Sequence, residues 1–305
     1  MAFFRKSNKQ NFDVLSGYSW YVPGMKGMFA LLAALLFGAL LGNVAVLCML
    51  PLGKEAAETY GTLISYPVMF IPAMIYAKTK SYRSMTFETG YRIDSSHFTE
   101  GGAAVTMLIC MIATMAMAFA LDAVNALMPP MPEALEKLLD SMTQGNFLLN
   151  FISVSIFAPF FEDWLCRGMI LRGLLNHKRA DGSCMKPLWA IIISALFFAV
   201  IHMNPWQAIP AFAIGCLMGY VYYRTGSLKL TMLMHFTNNT LALAVGQIDS
   251  LKDCDSWMEA MPSKMYWLLF AASLLLIILS VRALRRIPLE KPSGNSDELN
   301  GEINL

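Results

Sequence analysis

The chain has 305 residues, of which 56% are hydrophobic and only 14% are charged, with a formal net charge of +2. Soluble globular domains carry about 25% charged residues, so this composition indicates an integral membrane protein. The small net charge, without a basic stripe that interleaves with aromatic residues, argues against a nucleic-acid partner. The expected surroundings are therefore a lipid bilayer, with no nucleic acid.

Eight apolar segments are long enough, or nearly long enough, to cross a bilayer, which takes roughly 20 mainly apolar residues. They lie at residues 28–50, 60–77, 103–121, 147–175, 187–203, 206–223, 228–247 and 265–284. The predicted fold class is therefore all-α, a polytopic membrane bundle of about eight transmembrane helices.

Basic residues are concentrated in every second connection and in both tails, whereas the other connections tend to be acidic. The stretch after the fourth segment, for example, carries Arg172, Lys178, Arg179 and Lys186. Under the positive-inside rule this alternation requires an even number of spans, with both termini in the cytoplasm. We predict a multi-pass integral membrane protein, of the plasma (inner) membrane if the protein is bacterial.

The chain divides into five predicted regions. They are a cytoplasmic tail at 1–27, three helices with an outer amphipathic segment (132–142) at 28–146, a transmembrane core at 147–247, a last helix at 265–285, and a flexible cytoplasmic tail at 286–305. Each assignment follows from the change between apolar and polar composition.

The fourth segment carries three charged residues in an otherwise apolar run. A charge inside a membrane helix is costly, and it is a functional-site hypothesis by default. Asp163 and Arg167 are four residues apart, so they share a helix face and can pair. Glu162 lies about 100° away around the helix, so that pair need not engage it. The alternative is that all three form a structural network between helices.

Two later segments each carry a pair of residues at the same spacing, and each pair includes a histidine. Phe198 and His202 are four residues apart on the fifth segment, and Asn204-Pro205 ends that helix directly afterwards. Irregular backbone at membrane depth lines a cavity or is buried in protein. His235 and Asn239 are four residues apart on the seventh segment. Taken singly, such residues are more often structural hydrogen-bonding groups between helices.

Together, one carboxylate, two histidines and an amide suit peptide hydrolysis. Glu162 can take a proton from water that His202 helps to hold, while His235 and Asn239 can donate hydrogen bonds to a developing oxyanion. At 1.5 Å per residue, His202 lies roughly 22 Å from the basic end of its helix, and His235 only about 10 Å. If the two share a cavity, the helices must be tilted, offset or broken.

In this order the three motifs resemble those of the CAAX-protease and bacteriocin-processing family of intramembrane proteases, also called the Abi family. The family pattern is E-E-x-x-x-R, then F-x-x-x-H, then H-x-x-x-N (or D). The chain has Glu162-Asp163-x-x-x-Arg167, Phe198-x-x-x-His202 and His235-x-x-x-Asn239. The resemblance covers about 147–244. The one departure is Asp163 in place of the second glutamate, which we interpret as tolerated because aspartate still reaches Arg167.

The resemblance implies an intramembrane endopeptidase. By resemblance, Glu162 and His202 activate water, and His235 with Asn239 stabilises the oxyanion. Supporting residues are Asp163, Arg167 and Phe198. The implied substrates are peptides or membrane proteins, either CAAX-like or with leader peptides. No cofactor is expected and we favour a metal-free glutamate mechanism, although Glu162, His202 and His235 could ligate zinc, which leaves a metalloprotease open.

Two other functions compete with this interpretation. A bacteriocin-immunity or membrane scaffold protein of the same family would need no different residues. A transporter would use the buried acid and histidines as a proton relay, but it predicts repeat symmetry that the sequence lacks. The sequence also lacks the H-E-x-x-H, G-x-S-x-G and intramembrane G-x-G-D motifs of other intramembrane proteases. The oligomeric state is not specified by these features.

Overall fold

A computed structural model describes residues 15–84, 90–95, 97–137, 146–248, 254 and 256–289. Within these ranges every regular element is a helix, so the predicted all-α class is confirmed there. The helices are α1 (Met25–Leu47), α2 (Lys54–Ser84), α3 (Gly102–Asn125), α4 (Phe147–Asn176), α5 (Pro187–Val200), α6 (Pro205–Thr225), α7 (Leu228–Val245), α8 (Trp257–Ala260) and α9 (Ser263–Arg285).

Each of the eight predicted apolar segments coincides with a helix, and five of the helical ranges are long and apolar enough to cross a membrane. These are Met25–Leu52, Thr59–Ser84, Gly102–Asn125, Phe147–Asn176 and Ser263–Arg285. Helix α5 is apolar but has 14 residues, or about 21 Å, which is short of a bilayer core of about 30 Å. The count of eight spans and the cytoplasmic termini stay predictions.

The predicted amphipathic segment and the tails are described only in part. Residues 133–137 are helical, while the remainder of that segment lies outside the described residues. The same holds for residues 1–14 of the N-terminal tail and 290–305 of the C-terminal tail, so the prediction of a flexible end is untested.

The connections that were predicted to be basic meet at one end of the bundle. Asp94, which follows α2, accepts hydrogen bonds from the first backbone amides of α7 and pairs with Lys229 at 3.0 Å. Arg224, at the end of α6, donates to backbone carbonyls at the end of α9. The alternation in the sequence therefore corresponds to a shared end of the helices.

Arg172 departs from the sequence prediction. We counted it among the basic residues of a connection, but it lies within α4 and is only 2% exposed. All five N–H groups of its guanidinium donate to backbone carbonyls, which is the full capacity of the group. The acceptors are Tyr18, Ser19, Tyr21, Tyr91 and Gly168, at 2.6 to 3.2 Å. This explains its burial: Arg172 fastens the segment before α1 and the segment after α2 onto α4.

Helices α1 and α2 form a closely packed antiparallel pair. Gly38 and Gly42 of α1 lie one turn apart and face α2. A Cβ atom at Gly38 would clash with the Met69 carbonyl, and one at Gly42 would lie 2.9 Å from the Ser65 carbonyl oxygen. Small residues at this spacing let two membrane helices approach closely, so the pair depends on the absence of side chains here.

Candidate active site

Helix α4 is not regular around the charged motif. Two π-helical segments, Phe151–Phe157 and Trp164–Leu171, flank a short α-helical stretch, Ala158–Asp163. Glu162 and Asp163 are the last residues of that stretch. Segments with π-helical hydrogen bonding are rare and frequently occur at functional sites, because they displace side chains and release backbone carbonyls.

One released carbonyl is taken up by a predicted site residue. The backbone N–H of Ala158 donates to the Ser153 carbonyl, five residues back, so the same register would pair Pro159 with Val154. Proline has no N–H to donate. The amide of Asn239, on α7, donates to the Val154 carbonyl oxygen at 2.8 Å instead. Asn239 thus connects α7 to the irregular part of α4.

A second bond of this kind connects α5 to α4. The Ser194 hydroxyl is buried and donates to the Cys166 carbonyl oxygen at 2.8 Å, inside the second π-helical segment. Side chains of two neighbouring helices therefore satisfy backbone groups of α4 on either side of its acids, which fixes the position of α4 in the bundle.

Asp163 and Arg167 pair as their spacing predicts. The Arg167 guanidinium donates to Asp163 Oδ1 at 2.6 Å, and both side chains are at most 1% exposed. The guanidinium also lies 4.2 Å from the centre of the Phe198 ring and donates to the Met218 sulfur at 3.5 Å. Helices α4, α5 and α6 thus enclose this charge pair, which offsets part of the cost of removing it from water.

His235 lies next to both acids of α4. Its Nδ1 is 3.3 Å from Asp163 Oδ2, and its Nε2 is 3.8 Å from Glu162 Oε2. The Phe198 ring packs perpendicular to the imidazole, with ring centroids 5.4 Å apart. The structure therefore brings Glu162, Asp163, Arg167 and Phe198 together with His235, from three helices.

Tyr66 of α2 is a site residue that the sequence interpretation missed. Its hydroxyl donates a hydrogen bond to Glu162 Oε1, although 96 residues separate the two in the chain. The available signal was a tyrosine directly before Pro67 in an apolar segment. That signal is weak, because aromatic residues are common in membrane helices. Helix α2 therefore contributes to a site whose residues the sequence predicts only on α4 and later helices.

His202 lies farther from the acids than its motif suggested. Helix α5 ends at Val200, and Met203 has a left-handed backbone with φ of 58°. His202 Nδ1 is 2.8 Å from the Phe198 carbonyl oxygen, and its ring packs edge-to-face on the Phe198 ring. The side chain of α5 that reaches His235 is thus Phe198, one turn earlier. The predicted break at Asn204-Pro205 is present, but it does not bring His202 to Glu162.

A zinc site would need His202 to join Glu162 and His235. In the part of the chain that the structure describes, no group of three or more His, Cys, Asp or Glu side chains is placed to hold a metal ion. The donor set that we considered for zinc is therefore not assembled in this conformation. The metal-free mechanism stays a prediction.

Comparison with known proteins covers this part of the chain. Residues 144–241 match the family model described as type II CAAX prenyl endopeptidase Rce1-like. This segment is therefore similar to the CAAX prenyl endopeptidases. The matched range runs from just before α4 into α7 and contains every predicted site residue. This similarity and the several apolar helices support a multi-pass integral membrane protein.

A bacterial protein is similar to part of the chain. An uncharacterized 24.3 kDa protein of Escherichia coli is 29% identical over 124 residues, which is 40% of this chain and 55% of that protein. The chain therefore spans about half the length of the curated relative that it matches. No solved structure matches it.

Proposed function

We propose that the protein is an intramembrane endopeptidase in which Glu162 is the general base. The observation that carries this proposal is the position of the His235 ring, with one nitrogen near Glu162 and the other near Asp163. The imidazole is buried between two carboxylates, and Arg167 pairs with one of them. Carboxylates that can accept a proton and an imidazole that can donate one therefore lie side by side in an apolar bundle.

The hydrogen bonding of the cluster favours a catalytic over a purely structural role. Glu162 Oε2, Asp163 Oδ2 and His235 Nδ1 are buried, and none makes a well-aligned hydrogen bond to the residues described. A network that served only to join helices would be expected to satisfy such atoms, since unpaired buried polar groups cost free energy. Groups left unpaired in this way can bond to water and substrate once these enter the site.

Each residue has a proposed part in the reaction. Glu162 takes a proton from water as the water oxygen bonds to the scissile carbonyl carbon, and the proton then passes to the leaving amine. Asp163, paired with Arg167, lies beside the imidazole and limits the rotation of its ring. His235 and Asn239 donate hydrogen bonds to the oxyanion. Asn239 uses one amide hydrogen for Val154, which leaves the second for substrate.

His202 keeps its proposed part in holding the water, but it has less geometric support. It contacts Phe198, not Glu162. The proposed substrates are membrane-associated peptides or proteins, CAAX-like or with leader peptides, in line with the description of the matched family. We propose a metal-free mechanism for their cleavage.

The test compares the wild type with Glu162→Gln, both purified in detergent, on a panel of prenylated CAAX-like peptides, leader peptides and membrane proteins. We expect the substitution to lower the cleavage rate about a thousandfold, since a positioned base contributes 10²- to 10⁴-fold. Glu55→Gln, at an exposed position of α2, is the matched control and should cleave at the wild-type rate.

Each result has a defined meaning. Equal rates for the wild type and Glu162→Gln would refute the catalytic assignment. Loss of wild-type activity on chelation, restored by zinc, would refute the metal-free mechanism. A folded wild type that cleaves nothing across the panel would favour the immunity or scaffold function.

A further inference from the structure

A cavity of about 920 Å³ opens at the basic end of the bundle, far along α4 from the acids. It lies where α1 begins and where α2 and α4 end. Its charged lining is cationic: Lys26, Lys80, Lys178 and Arg179, with His177 beside them. Among the described residues, no Asp or Glu lines this cavity. The cavity therefore presents several positive charges to one open volume, which favours an anionic ligand.

The acid closest in sequence is engaged elsewhere. Asp181, in the connection between α4 and α5, accepts hydrogen bonds from the backbone N–H and the hydroxyl of Ser183, at 2.9 and 2.7 Å. These hydrogen bonds, with a smaller contribution from Arg179, lower the pKa of Asp181 below its usual value. Asp181 does not line the cavity, so no acid of the described residues neutralises the cations from within it.

The position of the cavity indicates the kind of anion. Helices α1, α2 and α4 are all long and apolar enough to cross a membrane, and the cavity lies at their ends. The ends of spanning helices lie at the height of the lipid head groups. Basic pockets between helices at this height bind phospholipid head groups. Trp189, near the start of α5, is 57% exposed, as expected for an aromatic residue at the interface.

A second cavity supplies an apolar continuation. It has a volume of about 350 Å³ and shares Arg179 and Met185 with the first. Its further lining is Lys186, Trp189 and Ile193, and the last two lie one turn apart on α5. The groove thus leads from the basic cavity along α5, the direction in which an acyl chain would enter the hydrocarbon.

We propose that these two cavities form a binding site for an anionic phospholipid. The lipid phosphate is bound among Lys26, Lys178 and Arg179, and one acyl chain lies along Trp189 and Ile193. A zwitterionic phospholipid is disfavoured, because its positively charged head-group nitrogen would meet the same cations, and the described lining offers it no carboxylate. Free phosphate would use the cations but not the apolar groove.

The test uses the full chain in a neutral detergent. Native mass spectrometry measures the retention of phosphatidylglycerol and of phosphatidylcholine by the wild type and by Lys178→Gln/Arg179→Gln. Each cation near a lipid head group contributes about 1 kcal/mol, so we expect phosphatidylglycerol to bind at least about tenfold more weakly to the variant. Binding of phosphatidylcholine should be weak and nearly unchanged.

The matched control is Arg285→Gln/Arg286→Gln, which removes the same charge from exposed residues at the end of α9, outside both cavities. It should bind phosphatidylglycerol like the wild type. Equal weakening in both double variants would show a non-specific charge effect and refute the site. Thermal unfolding shows whether Lys178→Gln/Arg179→Gln is folded. If it is not, Lys26→Gln tests the same cavity from α1.

A further arm separates a lipid from a free phosphate. Trp189→Ala should weaken retention of phosphatidylglycerol several-fold, because it removes the apolar wall of the groove. Inorganic phosphate at millimolar concentration should not displace the lipid. Full displacement by phosphate, with no effect of Trp189→Ala, would mean that the cavity binds soluble phosphate and would refute the lipid assignment.

Discussion

Helices α1 and α4 are both long enough to cross a membrane, yet the less apolar of the two is the more deeply buried. In its most apolar stretch, 39% of the α4 residues are buried, against 22% for α1. Helix α1 exposes large apolar side chains such as Leu36, Phe37 and Leu40. Helix α4, in contrast, has every residue from Asp163 to Leu174 buried.

The difference indicates what surrounds each helix: mainly lipid for α1 and mainly protein for α4. Lipid is as apolar as leucine, so an apolar surface gains little by leaving it, and α1 can present most of its surface to the bilayer. Charged groups must be paired or bonded to backbone inside the protein. Helix α4 therefore lies among α2, α5, α6 and α7, where its charges find partners. The following predictions probe this contrast, from the largest expected effect to the smallest.

The largest effect is expected from Arg167→Met. It removes the partner of Asp163 and leaves an unpaired buried carboxylate, which should lower the free energy of unfolding by about 3–5 kcal/mol. Thermal and denaturant unfolding in detergent micelles measure the change. Arg285→Met, at an exposed position in the last turn of α9, is the control and should change stability by less than about 0.5 kcal/mol. Equal effects would mean that burial of the pair does not matter.

The second prediction concerns the part of α1 that does meet protein. Gly38→Val places side-chain atoms against the Met69 carbonyl of α2, so the helices must separate, at a cost of about 1–3 kcal/mol. Ala33→Val adds the same bulk on an exposed face of α1 and should be nearly neutral. A neutral Gly38→Val in the same unfolding measurements would contradict close packing of α1 on α2.

The third prediction tests whether α2 positions the proposed base. Tyr66→Phe removes the hydrogen bond to Glu162 Oε1 and leaves the ring in place. We expect kcat to fall about tenfold with KM unchanged, because the carboxylate is less well oriented for proton transfer. Tyr60→Phe, at an exposed position of the same helix, is the control. A change in KM alone would assign Tyr66 to substrate binding instead.

The smallest effect is expected from Ser194→Ala. It leaves the Cys166 carbonyl of the second π-helical segment without its side-chain donor, at a cost of about 1 kcal/mol. Ser280→Ala on α9 is the matched control, because Ser280 is also buried but lies outside α4 and α5. If both variants were equally stable, the bond between α5 and α4 would contribute nothing to the position of α4.

The sequence by itself determined the features that depend on one helix at a time. Composition and apolar segments predicted the all-helical membrane fold, and the three motifs indicated the family that residues 144–241 match. The spacing of Asp163 and Arg167 predicted their pairing, because helical geometry brings residues four apart onto one face. Asn204-Pro205 predicted the end of α5, because proline disfavours helical backbone at the residue before it.

The tertiary structure decided every contact between helices. It directed His235 towards both acids, placed Phe198 rather than His202 beside it, added Tyr66 from α2, and buried Arg172. These contacts depend on the rotation, tilt and register of whole helices. In a bilayer no difference in hydrophobicity sets those quantities, so close packing and hydrogen bonds set them, and both depend on all the helices together.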